Sequence, residues 1–209
     1  MIPTLVSAHV PAIEMTTIEI DPEVARVAAE YFRFRPDAND RVVLGDGRRE
    51  LERQVTSTDV ILIDAFFSDS VPFHLTTVEF YELCARKLSP GGVFAATFAG
   101  TLTGRDNALF WAAAKSLQMV FPRVYVFCPE LAEGKAVFRG TAILAATRSP
   151  DRLDRATIEE RGSALAARLG RPPIAVWATH LYDGEMKTAN VPLLTDAYSP
   201  TDALQHLRR

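Results

Sequence analysis

Three acids stand where an α/β sheet does its chemistry. Asp59 is followed by the apolar run Val60 to Ile63, which halts at Asp64. A short run rich in β-branched residues reads as a strand buried on both faces of a parallel sheet. Asp64 then lies at the strand's carboxyl end, where such sheets bind ligands. A carboxylate there can orient a cation or accept a proton. No helix is expected before Thr76, so a functional Asp64 outranks Asp64 as a helix cap. Phe66, Phe67 and the stretch Asp69-Ser70-Val71-Pro72 read as a structured loop over the site. Asp69 and His74 are further polar candidates, although loop aspartates are common turn formers and a loop histidine is more often a surface residue.

Glu19-Ile20-Asp21-Pro22 places a second acid at the end of a strand, just before a helix. In dinucleotide-type folds an acid at that point bonds ribose hydroxyls. Asp21 reads as the helix cap and Glu19 as the ribose ligand. Gly45-Asp46-Gly47 follows directly on another strand. Glycines on both sides of Asp46 permit close approach of a flat ligand, and Asp46 is suited to accept from an exocyclic amine such as that of adenine. It suits equally the cap of a following helix, and both readings stay open. Near the C-terminus, in Leu194-Thr195-Asp196-Ala197-Tyr198-Ser199-Pro200, Asp196 and Tyr198 could close over a site or anchor the tail. The sequence favours the anchor. No metal is called for.

The elements that must position these residues alternate in type. Strands are expected at Met15 to Ile20, Arg41 to Leu44, Val60 to Asp64, Val93 to Phe98, Val124 to Cys128 and Gly140 to Ala146. Helices are expected at Pro22 to Arg33, with Pro in its first turn, and at Arg48 to Val55. Further helices are expected at Thr76 to Leu88, capped by Thr76 or Thr77 with Glu79 in the first turn, at Asp106 to Val120, and at Asp154 to Leu169. Ser89-Pro90-Gly91-Gly92 reads as a sharp turn, and Glu130 to Arg139 as a hairpin turn. The pattern predicts a Rossmann-like α/β fold, a mostly parallel sheet with an antiparallel edge hairpin. An irregular tail follows, and residues 1–209 are expected to form one domain.

Composition narrows the function classes. The chain has 209 residues, 48% hydrophobic and 23% charged, with a net charge of -3 and a pI near 5.8. Nucleic-acid binding usually needs a basic face, so small cationic ligands fit better. Cys84 and Cys128 form no CxxC and read as reduced thiols. No apolar stretch reaches membrane-spanning length, and Met1 to Val10 lacks the charged head of a signal peptide. A cytoplasmic protein is expected.

Taken in order, TTIEIDPEV, VVLGDGRREL, DVILIDAFFSDSVPFHLTTVEFYELCARKLSPGGVFAAT, VFPRVYVF and LLTDAYSP resemble the spermidine synthase family of aminopropyltransferases, from about Thr16 to Asp202. The resemblance implies a class I S-adenosylmethionine-dependent transferase fold. It implies that Glu19 binds the ribose of decarboxylated S-adenosylmethionine, a co-substrate with no permanently bound cofactor, that Asp46 with Gly45 and Gly47 contacts its adenine, and that Asp64 is the catalytic aspartate. The implied reaction moves an aminopropyl group to putrescine or a similar amine, giving spermidine and methylthioadenosine. Asp69, His74 and Tyr198 are the lesser substrate-binding candidates, and a homodimer is allowed.

Three departures keep alternatives in play. About 20 residues before Glu19 lies Met1, so the family's first strand and glycine-rich loop are missing, as is its β-rich N-terminal region. Pro3 to Val10 reads as the end of the helix after that loop, and the chain is expected to be incomplete at its N-terminus. Where polyamine-making members often carry a second acid, three positions after Asp64, this chain has Phe67. A methyltransferase-like enzyme of the same fold and a non-catalytic interaction or structural remnant are therefore the other readings.

Overall fold

The computed structural model describes residues 6, 8–10, 13–32, 34, 36, 39–66, 71–100, 102, 107–128 and 140–200. The chain divides into two compact units, Met1–Val55 and Thr56–Arg209.

The first unit runs β1 (Met15–Glu19), α1 (Pro22–Tyr31), β2 (Asp40–Leu44) and α2 (Gly47–Arg53). β1 and β2 pair in parallel, with Glu19 opposite Leu44. Pro22 opens α1 where its missing N–H costs nothing, and the Asp21 side chain accepts from the Glu23 amide. Arg26 reaches both Glu23 and Glu30 along the exposed helix face, pairs worth a few tenths of a kcal/mol each, roughly. Among the described residues of this unit Phe34 and Leu51 are the buried apolar ones, and α1 buries none of its own. Ahead of β1, Val6, Ala8 and His9 are helical, and the Val10 amide donates to the Val6 carbonyl at 2.8 Å.

The second unit contains β3 (Thr58–Ile63), a 3-10 turn (Phe73–Leu75), α3 (Val78–Lys87), β4 (Leu88–Gly100), α4 (Ala108–Gln118), β5 (Arg123–Phe127), β6 (Gly140–Thr147), α5 (Arg155–Leu169) and α6 (Pro173–Ala178). Its sheet has the order β3-β4-β6-β5. β3 and β4 are parallel, whereas β6 pairs antiparallel with both β4 and β5. Only β6, then, runs against its sheet. Register lines up one buried row as Ile61, Phe94, Ala146 and Val124, and the next as half-buried Ile63 with buried Ala96, Leu144 and Val126. Those rows share the core with Phe80, Tyr81, Leu83 and Cys84 of α3 and with Phe110, Trp111 and Leu117 of α4. Ring contacts link Tyr81 to Phe94 and Phe94 to Phe121, with centroids 5.4 and 6.0 Å apart.

Three expectations change here. β3 is buried on one face only: Ile61 is 7% exposed, but Val60 is 58% and Leu62 43% exposed. Side chains alternate between faces, and the face carrying Val60 and Leu62 is left uncovered; among the described residues β3 is also the edge of its sheet, paired with β4. Ser89-Pro90-Gly91-Gly92 does not break the chain from strand to turn. β4 begins at Leu88, opposite Thr58, and the stretch is taken up as an irregularity in register between Thr58 and Val60. Gly91 supplies the positive φ of 82° that this kink needs, and a Cβ on Gly92 would sit 3.1 Å from the Asp59 carbonyl oxygen. Finally, the β5–β6 pair is antiparallel as read, but β6 inserts beside β4 and leaves β5 at the edge.

That edge is partly covered by the tail. The Tyr182 amide donates to the Val126 carbonyl and the Cys128 amide to the His180 carbonyl, at 2.8 and 2.9 Å. Arg155 fastens the same stretch, donating to the Thr179 carbonyl and pairing with Asp183, whose carboxyl it holds below the usual range. α6, unanticipated in the sequence, packs so closely on α5 that a Cβ on Gly162 would meet the Ala178 Cβ at 2.4 Å. Among the described residues no helix is long and apolar enough to cross a membrane.

Candidate active site

In the first unit the predicted nucleoside ligands are gathered by one strand pair. Glu19 ends β1, half-buried, and its Oε1 accepts the Asp21 amide at 2.9 Å. That bond aims the carboxylate across the turn into α1 and leaves Oε2 available. The Gly45 amide donates to the Glu19 carbonyl at 2.9 Å, which brings the Gly45-Asp46-Gly47 turn beside the end of β1. Asp46 caps α2, its Oδ1 accepting the Arg49 amide at 3.0 Å. Here the structure chooses the cap as one role, since a short helix leaves its first amides without partners.

The two flanking glycines do different jobs. A Cβ on Gly45 would press on the Glu50 side chain at 3.0 Å, so Gly45 serves packing. A Cβ on Gly47 would meet nothing within 4 Å. Neither glycine has a positive φ, so close approach, and not an unusual backbone, is what Gly47 offers.

In the second unit Asp64 follows the last residue of β3 and is exposed. Among the described residues its carboxylate has no hydrogen-bond or ion-pair partner. Phe66, two residues on, is 43% exposed. Phe67 and Asp69 lie outside the described residues. His74 sits in the 3-10 turn, half-buried, its ring edge-on to Phe73 with centroids 5.6 Å apart. Beyond it Leu75, Thr76 and Thr77 are buried, and Thr77 caps α3 through the Phe80 amide.

The C-terminal motif meets the start of α3. Tyr198 is 59% exposed, in a tight turn where the Thr195 and Tyr198 backbones exchange hydrogen bonds of 2.9 and 3.0 Å. Asp196 accepts the Thr77 hydroxyl at 2.7 Å. Sequence reasoning missed that link. No local signal could have found it, since 119 positions separate the partners. Among the described residues no three His, Cys, Asp or Glu side chains gather in a way that could hold a metal ion.

Residues 6–140 match the family described as the spermine/spermidine synthase domain. The chain belongs to that family. It is 29% identical over 212 residues to a polyamine aminopropyltransferase of Vibrio vulnificus, an alignment covering 98% of this chain and 66% of that protein. The chain thus spans just under two thirds of that relative's length. Among solved structures it is similar to a probable spermidine synthase from Corynebacterium glutamicum, at 26% identity and a TM-score of 0.63, covering 89% of this chain and 69% of that one. It is also similar to human methyltransferase-like protein 13, solved in complex with SAH, at 25% identity and a TM-score of 0.66, covering 81% of this chain and 77% of that one. Both likenesses agree with a Rossmann-like α/β fold.

Proposed function

We propose that the protein is an aminopropyltransferase that moves the aminopropyl group of decarboxylated S-adenosylmethionine to putrescine, with residues 1–209 assigned to one catalytic domain. Asp64 carries this reading: an exposed carboxylate, uncommitted among the described residues, at the carboxyl end of a strand with a parallel neighbour. A diamine is cationic at neutral pH, and an acid is its natural partner. Asp64 holds the amine and takes its proton, and the freed lone pair forms a C–N bond at the methylene next to the sulfonium. The C–S bond breaks and methylthioadenosine leaves with the electron pair. Most of the acceleration is positioning and proton removal.

Glu19 and the Gly45-Asp46-Gly47 turn are assigned to the nucleoside. Their chemistry suits it, with a second carboxylate oxygen on Glu19 for ribose hydroxyls and open space above Gly47 for a flat ring. Asp69, His74 and Tyr198 keep lesser roles toward the amine. A cytoplasmic location goes with this reading, as do small amines as partners instead of nucleic acid or membranes, and a homodimer as the assembly to look for.

Incubation with decarboxylated S-adenosylmethionine and putrescine tests it, with methylthioadenosine and spermidine as the expected products. If neither forms, aminopropyl transfer by this chain is wrong. Methyl transfer is the second reading, favoured by the likeness to the human methyltransferase-like protein. Calorimetry separates the two: methylthioadenosine should bind more tightly than S-adenosylhomocysteine, and the reverse order favours methyl transfer. Binding of neither leaves a non-catalytic role.

A further inference from the structure

A group of arginines lies toward the other end of the sheet from Asp64. A cavity of about 280 Å³ is lined by Glu82, Ala85 and Arg86 of α3, by Val120, and by Arg148 just past β6. All five belong to the second unit, and the register places them. Thr147, beside Arg148, stands opposite Val93 of β4, and Val93 stands opposite Val60 of β3. Asp64 is four residues beyond Val60, roughly 13 Å further along the strand.

Donors outnumber acceptors in this cavity. Arg148 donates from Nη1 to the Ala85 carbonyl at 3.2 Å, one of the last-turn carbonyls that a helix leaves without an internal partner. That bond uses one of the five N–H donors of a guanidinium and holds the side chain against α3. Arg86 has no hydrogen-bond or ion-pair partner among the described residues. Glu82 precedes it by four positions, the spacing at which a helix pairs such charges, yet no ion pair joins them. A cation in the last turn of α3 suits the helix dipole, and Arg86 and Lys87 both sit there. The dipole does not explain why a separate part of the chain brings a second guanidinium to the same cavity. Two like charges lining one small space repel each other unless an anion lies between them.

The forked guanidinium matches the oxygens of a phosphate and holds them by paired, charge-assisted bonds. Ala85 and Val120 add an apolar wall, with room for a few carbons beside the anion. We infer that Arg86 and Arg148 form a binding site for a small phosphate-bearing ligand, separate from the candidate active site. The aminopropyltransferase reading gives neither arginine a role, so the two can fail independently.

Calorimetry on the full chain at low salt tests this, with inorganic phosphate and a short alkyl phosphate as probes. Saturable binding at one site is expected. Tighter binding of the ester marks an organic phosphate as the ligand, and equal or weaker binding of the ester marks the free anion. Arg86→Ala should weaken binding by roughly 10–100-fold, the scale of charge-assisted bonds. This variant decides the matter, because Arg86 holds no other described group that its loss would release. Arg148→Lys, which keeps the charge and loses the fork, should weaken binding less. Glu82→Gln, which removes the acid of the lining, should tighten it. Arg161→Ala takes the same charge from an exposed position on α5 and should change nothing. Hydrogen exchange followed by mass spectrometry should slow over residues 82–88 and 147–150 when phosphate is added, and stay as it was in the first unit. A wild type that binds neither probe overturns the inference. Equal losses in Arg161→Ala and Arg86→Ala overturn it too, since net charge alone would then account for the binding. Protection that appears only outside those two stretches puts the phosphate elsewhere and has the same consequence.

Discussion

The two units are assembled from the same pieces, a strand leading into a capped helix beside a parallel neighbour, yet they hold those pieces by different means. In the first unit α1 buries no residue, and the acids are aimed by bonds between near neighbours: Asp21 to Glu19, Glu23 to Asp21, Arg49 to Asp46. In the second, four strands and two helices close on an aromatic core, and the helix after Asp64 is tied to the tail across 119 positions. Short-range bonds can aim a side chain, but they add little stability, because an isolated helix this short is marginal without packing. The second unit should therefore be the stable one, and the first the one whose order depends on what it binds. Each prediction below assigns a property to one unit and not the other.

The largest effect concerns chemistry. Asp64→Asn should lower kcat by about 10²–10⁴-fold, the usual worth of a positioned acid or base. Methylthioadenosine binding, assigned to the first unit, should stay nearly intact in calorimetry. Lost binding in a folded variant would mean that Asp64 has been given the wrong role. On an acceptor already neutral at the assay pH the defect should shrink, since less proton removal is required.

Stability comes next. Phe94 is 0% exposed and touches the rings of Tyr81 and Phe121, so Phe94→Ala should cost about 3–5 kcal/mol. Val24, 51% exposed on α1, should lose no more than about 0.5 kcal/mol on change to Ala. Both tryptophans, Trp111 and Trp177, lie in the second unit. Tryptophan fluorescence thus follows that unit alone, whereas circular dichroism follows both. The two urea transitions of the wild type should fail to coincide, with dichroism falling first. Coincident curves would show that the units unfold together and would erase the contrast.

Glu19→Gln carries a smaller expected effect. Replacing the charged acceptor of ribose hydroxyls should weaken methylthioadenosine binding by roughly 10–100-fold, the scale of one charge-assisted bond. Asp21 can then still take its place as the cap, so the fold should survive. Unchanged affinity would remove Glu19 from the nucleoside site. The second unit's exchange pattern should not respond to this change at all.

What could be seen in the sequence divides along the same line. Asp21 caps its helix where its type and the pattern after it said it would, and of the two threonines offered as the cap of α3 the structure uses Thr77, because capping is settled within three residues. Strand positions were legible for a similar reason, being runs of adjacent apolar side chains. The kink at Gly91 was not, since a glycine with positive φ serves a turn and a bulged strand alike. Nor was the insertion of β6 beside β4, which depends on which strands become neighbours, or the exposure of Val60 and Leu62, which depends on what covers their face of the sheet. The bond from Thr77 to Asp196 was the least visible. It joins two segments whose own patterns are complete without each other, brought together by the tail's bonds to α3 and α4, such as Val78 to Leu194 and Leu194 to Ser116.

The smallest effect tests whether the second unit's core is as finished as its packing implies. Tyr81 is 0% exposed, and its hydroxyl has no hydrogen-bond partner among the described residues. Burial, with Cys84 adding to it, pushes the phenol far above its ordinary range. A buried hydroxyl with no partner has given up its water without replacement. Tyr81→Phe removes that penalty and keeps the ring contact to Phe94. Stability should be unchanged or rise by up to about 1 kcal/mol, which for a unit of this size moves Tm upward by about 2–4 °C. A loss of more than about 1 kcal/mol would reveal a bond to the hydroxyl. The core would then hold a buried polar link of its own, and the contrast with the first unit would rest on buried polar bonds as well as on apolar packing.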